Sequence, residues 1–155
     1  MNQKGKLKER ISIITIGVKN LQNIRNFYEE KFGWIPVAAN KDIIFFRLNG
    51  LLLSFYPSKD LASGAGKENN SSDFKHFTLA YNVDSKEEVD VLYNHLKKAE
   101  VSITKSPEET FFGAYIFYFE DIESNLWEIA YNPMIELDPS GNVVSHQDIL
   151  HLEQS

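Results

Sequence analysis

Ile11-Ser-Ile-Ile-Thr-Ile-Gly-Val18 and Phe77-Thr-Leu-Ala-Tyr-Asn-Val83 are two alternating, strand-like stretches, one opening each half of the chain. The segments after them are also alike. An amphipathic helix comes next, Leu21 to Phe32 in the first half and Glu87 to Ala99 in the second. Aromatic-rich strands then end on an apolar run and a proline: Ile43 to Pro57 in the first half, Ala114 to Phe119 and Leu126-Trp-Glu-Ile-Ala-Tyr-Asn-Pro133 in the second. A repeated unit that cannot close a core alone packs on its twin, and the junction between twins is a natural place for a ligand cleft. The chain has 155 residues, 43% of them hydrophobic, which suits one domain rather than two. We therefore read modules 11–57 and 74–133 within a single domain 11–133, with a linker 58–73, a disordered tail 1–10 and a C-terminal arm 134–155.

The helix ends are marked by local chemistry. Asn20 is placed to cap the first helix, whose stripe Leu21, Ile24, Phe27, Tyr28 and Phe32 stops at Gly33, where a left-handed cap is wanted. Ser85 and Glu88 form a capping-box pattern before Val89, Leu92, Tyr93, Leu96 and Ala99. Residues 58–73 are rich in Ser, Gly, Asn, Lys and Asp and read as a mobile linker. Asp138-Pro-Ser-Gly-Asn142 reads as a turn rather than a calcium loop, since no Glu comes after it at the spacing such a loop needs.

A net charge of −6 argues against a nucleic-acid partner, which requires clustered cations, and leaves Lys4, Lys6, Lys8 and Arg10 as a solvated tail. No apolar run reaches the ~20 residues that span a bilayer, so no membrane partner is expected, and the N-terminus lacks signal-peptide order. A cytoplasmic location is the expectation. With no cysteine there is no disulfide, thiolate metal site or cysteine nucleophile.

Ile16-Gly-Val-Lys-Asn-Leu21, Asn26-Phe-Tyr28 and Phe32-Gly-Trp34, with Gly113 to Phe119, Asp121 and Asn125-Leu-Trp-Glu-Ile129 in the second half, carry a resemblance to a known family. From about Ile11 to Pro133 the chain resembles the vicinal oxygen chelate superfamily, the glyoxalase, bleomycin-resistance and extradiol dioxygenase group. It departs from the family's Asp-Pro-Asp-Gly-Asn turn, carrying Asp121-Ile-Glu-Ser-Asn125 instead, so an altered turn is expected. The resemblance implies an α+β fold: two βαβββ modules forming a curled mixed sheet around a cavity. In metal-dependent members, ligands come from the opening and last strands of each module. Those positions fall here on Ile13, Thr78, a residue near Leu53, and Glu128. One ligand-type side chain in that set holds a divalent metal poorly, so no cofactor is expected.

Glu128, flanked by Leu126, Trp127, Ile129 and Ala130, is the candidate catalytic residue. A carboxylate facing an apolar cleft either acts as a proton acceptor or is a structural, hydrogen-bonded group. Thr78 and His76 share a strand face and are candidate ligand contacts, as are Tyr115, Phe117, Phe112 and Arg47. Alternation leaves open whether Tyr115, Phe117 and Phe119 line the cleft or Ala114, Ile116 and Tyr118 do. An aromatic content of 13% suits a planar or apolar small molecule. The expectation is a homodimer that takes a small organic ligand without a metal. The alternatives are a metal-dependent lyase, isomerase or dioxygenase, and a non-catalytic interaction module.

Overall fold

The computed structural model describes residues 13–64, 68, 69, 75, 77–147, 149 and 151. The expected disordered tail and His76 lie outside them. Two four-stranded sheets have the same topology. In the first, β1 (Ile13–Val18) pairs parallel with β4 (Leu52–Pro57), which pairs antiparallel with β3 (Ile44–Arg47) and through it with the short β2 (Ala38–Ala39). In the second, β5 (Leu79–Asn82) pairs parallel with β8 (Leu126–Tyr131), then in order come β7 (Tyr115–Glu120) and β6 (Ser102–Glu109). The fold is α+β, two mixed sheets without a closed barrel, and it bears out the repeat read from the sequence.

Strand alternation gives each sheet a large apolar inner face. Ile16 and Val18 of β1, Ile44 and Phe46 of β3, and Leu53 and Phe55 of β4 turn inward; so do Phe117 and Phe119 of β7, and Trp127 and Ile129 of β8. The α1 helix (Leu21–Phe27) starts where expected, with the Asn20 side chain accepting from the Asn23 N–H. It then widens into a π-helical turn, Tyr28–Phe32, closed by Gly33 at φ 69°. That turn gathers Tyr28, Phe32 and Trp34 between the two inner faces. The Tyr28 ring lies 5.0 Å from Phe55 and 6.3 Å from Trp127, and the Trp34 ring 5.8 Å from Phe46 and 6.0 Å from Trp127. The two modules thus share one core. Burial of each such aromatic stabilises the fold by about 1.5–3 kcal/mol.

A polar network crosses the same junction. The Tyr28 hydroxyl donates to Asp121 Oδ2 at 2.7 Å and accepts from Trp127 Nε1 at 2.9 Å. Asp121, itself buried, also accepts from the N–H groups of Glu123 and Asn125, and so closes the β7–β8 turn. Ser124 takes the left-handed conformation at φ 63°, at the position where the family's turn carries glycine. The Glu123 carboxylate accepts from the N–H groups of Lys19 and Asn20, tying that turn to the start of α1.

Helix α3 (Lys86–Lys98) begins on Ser85 as expected, its Oγ accepting from the Glu88 N–H, and packs over β6, β7 and β8. Residues 58–73 are not all linker. Ser58–Gly64 forms helix α2, seated on β1 at Gly17, and Leu61 supplies the contact. The Asp138 turn forms as read, its carboxylate accepting from the N–H groups of Ser140 and Asn142. It joins β9 (Ile135–Leu137) to β10 (Val143–His146), and Asn49 Nδ2 donates to Gly141 O, holding the hairpin on the body.

Candidate functional site

Because both inner faces are spent on the shared core, functional side chains must come from the outer faces and edges. Glu128 sits on the outer face of the second sheet, since its neighbours Trp127 and Ile129 turn inward at 4% and 5% exposure. Directly across the antiparallel pair is Tyr118, whose hydroxyl donates to Glu128 Oε2 at 2.5 Å. Burial, then the hydrogen bond to Glu128 and its charge, push the Tyr118 phenol up to about 12. On the other side Ala80 of β5 is Glu128's register partner, and Thr78, exposed, lies on the same face two residues earlier. The outcome is a half-buried carboxylate held by one neutral phenol, beside the small side chain of Ala80. Such a pair can accept a proton or hydrogen bond at Glu128 and supply a hydrogen bond from Tyr118.

The structure brings Thr78 and Glu128 together but not the aromatic candidates. Phe117 is fully buried and packs edge-on against Tyr93 of α3 at 5.4 Å between ring centres. Tyr115 donates its hydroxyl to Asp90 of the same helix at 2.7 Å. Both therefore belong to the helix-packing face, and Tyr118, on the opposite face, is the aromatic residue at Glu128. Phe112 is half-buried in the β6–β7 turn, edge-on to Phe111. Arg47 is exposed at the end of β3, on the rim of a separate cleft.

Pairing also refines the expected metal positions. Val18 and Val83 correspond between modules, so Thr15 corresponds to Ala80. Thr15 pairs with Ser54 as Ala80 pairs with Glu128, which makes Ser54, not Leu53, the counterpart of Glu128. Leu53 faces the core at 1% exposure. The Ser54 hydroxyl is buried without a hydrogen-bond partner among the described residues. The set Ile13, Ser54, Thr78 and Glu128 thus holds one carboxylate, two neutral hydroxyls and a hydrocarbon. It does not fit a divalent metal that needs three or four strong donors. Among the described residues no group of three or more His, Asp or Glu side chains is placed to hold one.

A cleft of about 900 Å³ that takes in Ala80, the register partner of Glu128, opens between Gly33–Ile35, the turn after β3, the β5 strand and the β9–β10 turn. Arg47, Trp34, Ile35, Asn82 and Val143 are among its lining residues; Glu128 and Tyr118 are not.

The same fold recurs in solved structures. A glyoxalase-related enzyme from Fulvimarina pelagi is 29% identical, with 90% of this chain and 99% of that one covered at a TM-score of 0.79. A glyoxalase/bleomycin resistance protein/dioxygenase from Nocardioides is 16% identical, with 92% of each chain covered and a TM-score of 0.72. A lactoylglutathione lyase from Agrobacterium tumefaciens is 18% identical, covering 81% of this chain and 96% of that one at a TM-score of 0.65. No curated protein matches the chain. Residues 10–129 match the family model described as Glyoxalase/Bleomycin resistance protein/Dioxygenase superfamily. With the duplicated βαβββ topology, the Asp121–Asn125 turn and Glu128 on the last strand all in the family's order, the chain belongs to the glyoxalase/bleomycin resistance protein/dioxygenase superfamily.

Proposed function

We propose that this protein holds a small organic ligand against Glu128 without a metal, either sequestering it or performing modest acid/base chemistry on it. The observation that carries the reading is the pairing of Glu128 with Tyr118, at a place where the other family ligand positions are Ile13, Ser54 and Thr78. Glu128 accepts a proton or hydrogen bond from the ligand, Tyr118 holds the carboxylate, and Thr78 borders the space. That a relative at 29% identity is called a glyoxalase-related enzyme is consistent with chemistry rather than scaffolding.

The proposal includes a cytoplasmic homodimer. Its support is that the Glu128 face lies outside the shared core and that β1 and β5 are both edge strands with free backbone groups. A second copy laid over these faces would wall the site. Light scattering at micromolar concentration gives twice the chain mass if this holds, and the mass of one chain if it does not.

The ligand reading is tested with a small-molecule panel scored by thermal shift in the presence of a chelator. A saturable hit that survives the chelator and weakens on Glu128→Gln or on a bulky Thr78→Trp supports it. Hits that need added metal would favour a lyase, isomerase or dioxygenase, and no hit across a broad panel would favour a non-catalytic interaction module.

A further inference from the structure

We infer that the cleft beside Arg47 is a second binding site, separate from Glu128, for an organic anion with an apolar body. Among the described residues the cleft, about 900 Å³, is lined by no Asp or Glu, although the chain as a whole carries a net charge of −6. Among the described residues Arg47 is the one charged group in its lining, is exposed and forms no ion pair. A guanidinium left unpaired in an acid-free recess favours carboxylate, sulfonate or phosphate.

Backbone donors, alternating with carbonyl acceptors, border the cleft as well. Strand β5 is an edge, with β8 on one side only. Val83 turns its N–H to Ala130 of β8, so alternation turns the N–H and C=O groups of Ala80 and Asn82 toward the free edge, and both residues line the cleft. The Asn82 side chain adds an amide. The Asn49 and Asn142 amides are already engaged, donating to Gly141 O and Asp138 Oδ2, and serve as walls.

Part of the lining is apolar. Ile35 is 86% exposed and Val143 is 65% exposed, with the Trp34 ring between the core and the cleft. An isoleucine this exposed, lining the same cleft as an arginine, suits a ligand with one charged end and one hydrocarbon or aromatic end. The occupant is thus an amphipathic small anion, bound through its charge to Arg47 and the β5 edge and through its body to Ile35 and Val143.

The probe is anilinonaphthalene sulfonate, which joins a planar apolar body to one anionic group, and its partner control is phenylnaphthylamine, the same rings without the sulfonate. Arg47→Glu is expected to weaken the sulfonate about tenfold, the size of one charge-assisted contact, and to leave the neutral control unchanged. Arg47→Lys is expected to retain most of the affinity. Val143→Glu, an exposed change in the cleft lining, is expected to weaken the sulfonate as well, and added salt to weaken it in the parent protein. Both sites are on the surface, so unchanged circular dichroism will show that the variants fold. Equal sulfonate affinity in Arg47→Glu and the parent overturns the proposal. So does sulfonate binding lost on Glu128→Gln but kept in Arg47→Glu, which would place the probe at the other site and leave the reading of Glu128 standing.

Discussion

At the scale of single residues, Glu128 was legible and its partner was not. Alternation along Leu126 to Ala130 puts Glu128 opposite in direction to two large apolar neighbours, and that reading needs no tertiary information. Naming Tyr118 required the pairing register, which the Asp121–Asn125 turn sets by joining Glu120 to Leu126 and hence Tyr118 to Glu128. The sequence left both faces of β7 open, because aromatics occupy both, and only α3 packing decides that Phe117 is the inner one. Tyr118→Phe removes the hydroxyl that donates to a half-buried carboxylate, and should cost about 1–3 kcal/mol in urea unfolding. It should also change the alkaline limb. The folded phenol sits at about 12 against an ordinary ~10, so the unfolded chain loses this proton first. Stability from Tyr118 is full below ~10 and falls as pH rises toward 12; Tyr118→Phe should flatten that fall when unfolding is tracked by tyrosinate absorbance.

At the scale of elements, what could be read was what local chemistry dictates. Asn20, Gly33 and Ser85 mark helix ends by side-chain or backbone preference, and each does so in the structure. Several elements escaped, three of them for reasons that local chemistry makes plain. Strand β6 carries Pro107 and several exposed charges, as an edge strand does, so its apolar alternation is short. The π-helical turn keeps the sequence look of a helix, and its register is set by seating Tyr28 and Phe32 against two sheets at once. Helix α2 has only Leu61 and Ala62 to offer a hydrophobic signal, and it forms by resting on a strand that has no side chain at Gly17. A Cβ at position 17 would lie 3.0 Å from Ser58 Oγ, 3.1 Å from Ser58 Cα and 3.2 Å from Leu61 Cδ2. Gly17→Ala should therefore destabilise by about 1–3 kcal/mol through overpacking. Thermal unfolding checks it: a midpoint several degrees lower is expected, and an unchanged midpoint would mean that α2 shifts freely.

For the whole molecule, the duplication was legible and the way the twins meet was not. Two copies of a βαβββ pattern announce a shared fold, yet nothing local says that Tyr28 of one module will bond to Asp121 and Trp127 of the other. That network makes the modules interdependent. Tyr28→Phe keeps the ring and its packing but leaves Asp121 and the Trp127 indole N–H each short of a partner in a buried setting. A loss of about 2 kcal/mol or more is expected, with one cooperative transition still seen by calorimetry. Burial first, then Asp121, raise the Tyr28 phenol well above its ordinary value, so it too contributes stability below ~10 that is lost as pH rises. The same arrangement explains where function can lie. With the inner faces joined, the outer faces and edges remain for ligands, and they carry Glu128 with Tyr118 at one place and Arg47 at another.

The measurement that tests the central claim most directly is elemental analysis of the untagged protein, as purified and after incubation with Ni, Zn, Mn and Fe(II) and then desalting. A site of one carboxylate, two hydroxyls and an isoleucine predicts retained metal far below one ion per chain, with no difference between the parent and Glu128→Gln. Near-stoichiometric metal that disappears in Glu128→Gln would contradict the account and return this chain to the metal-dependent branch of its superfamily.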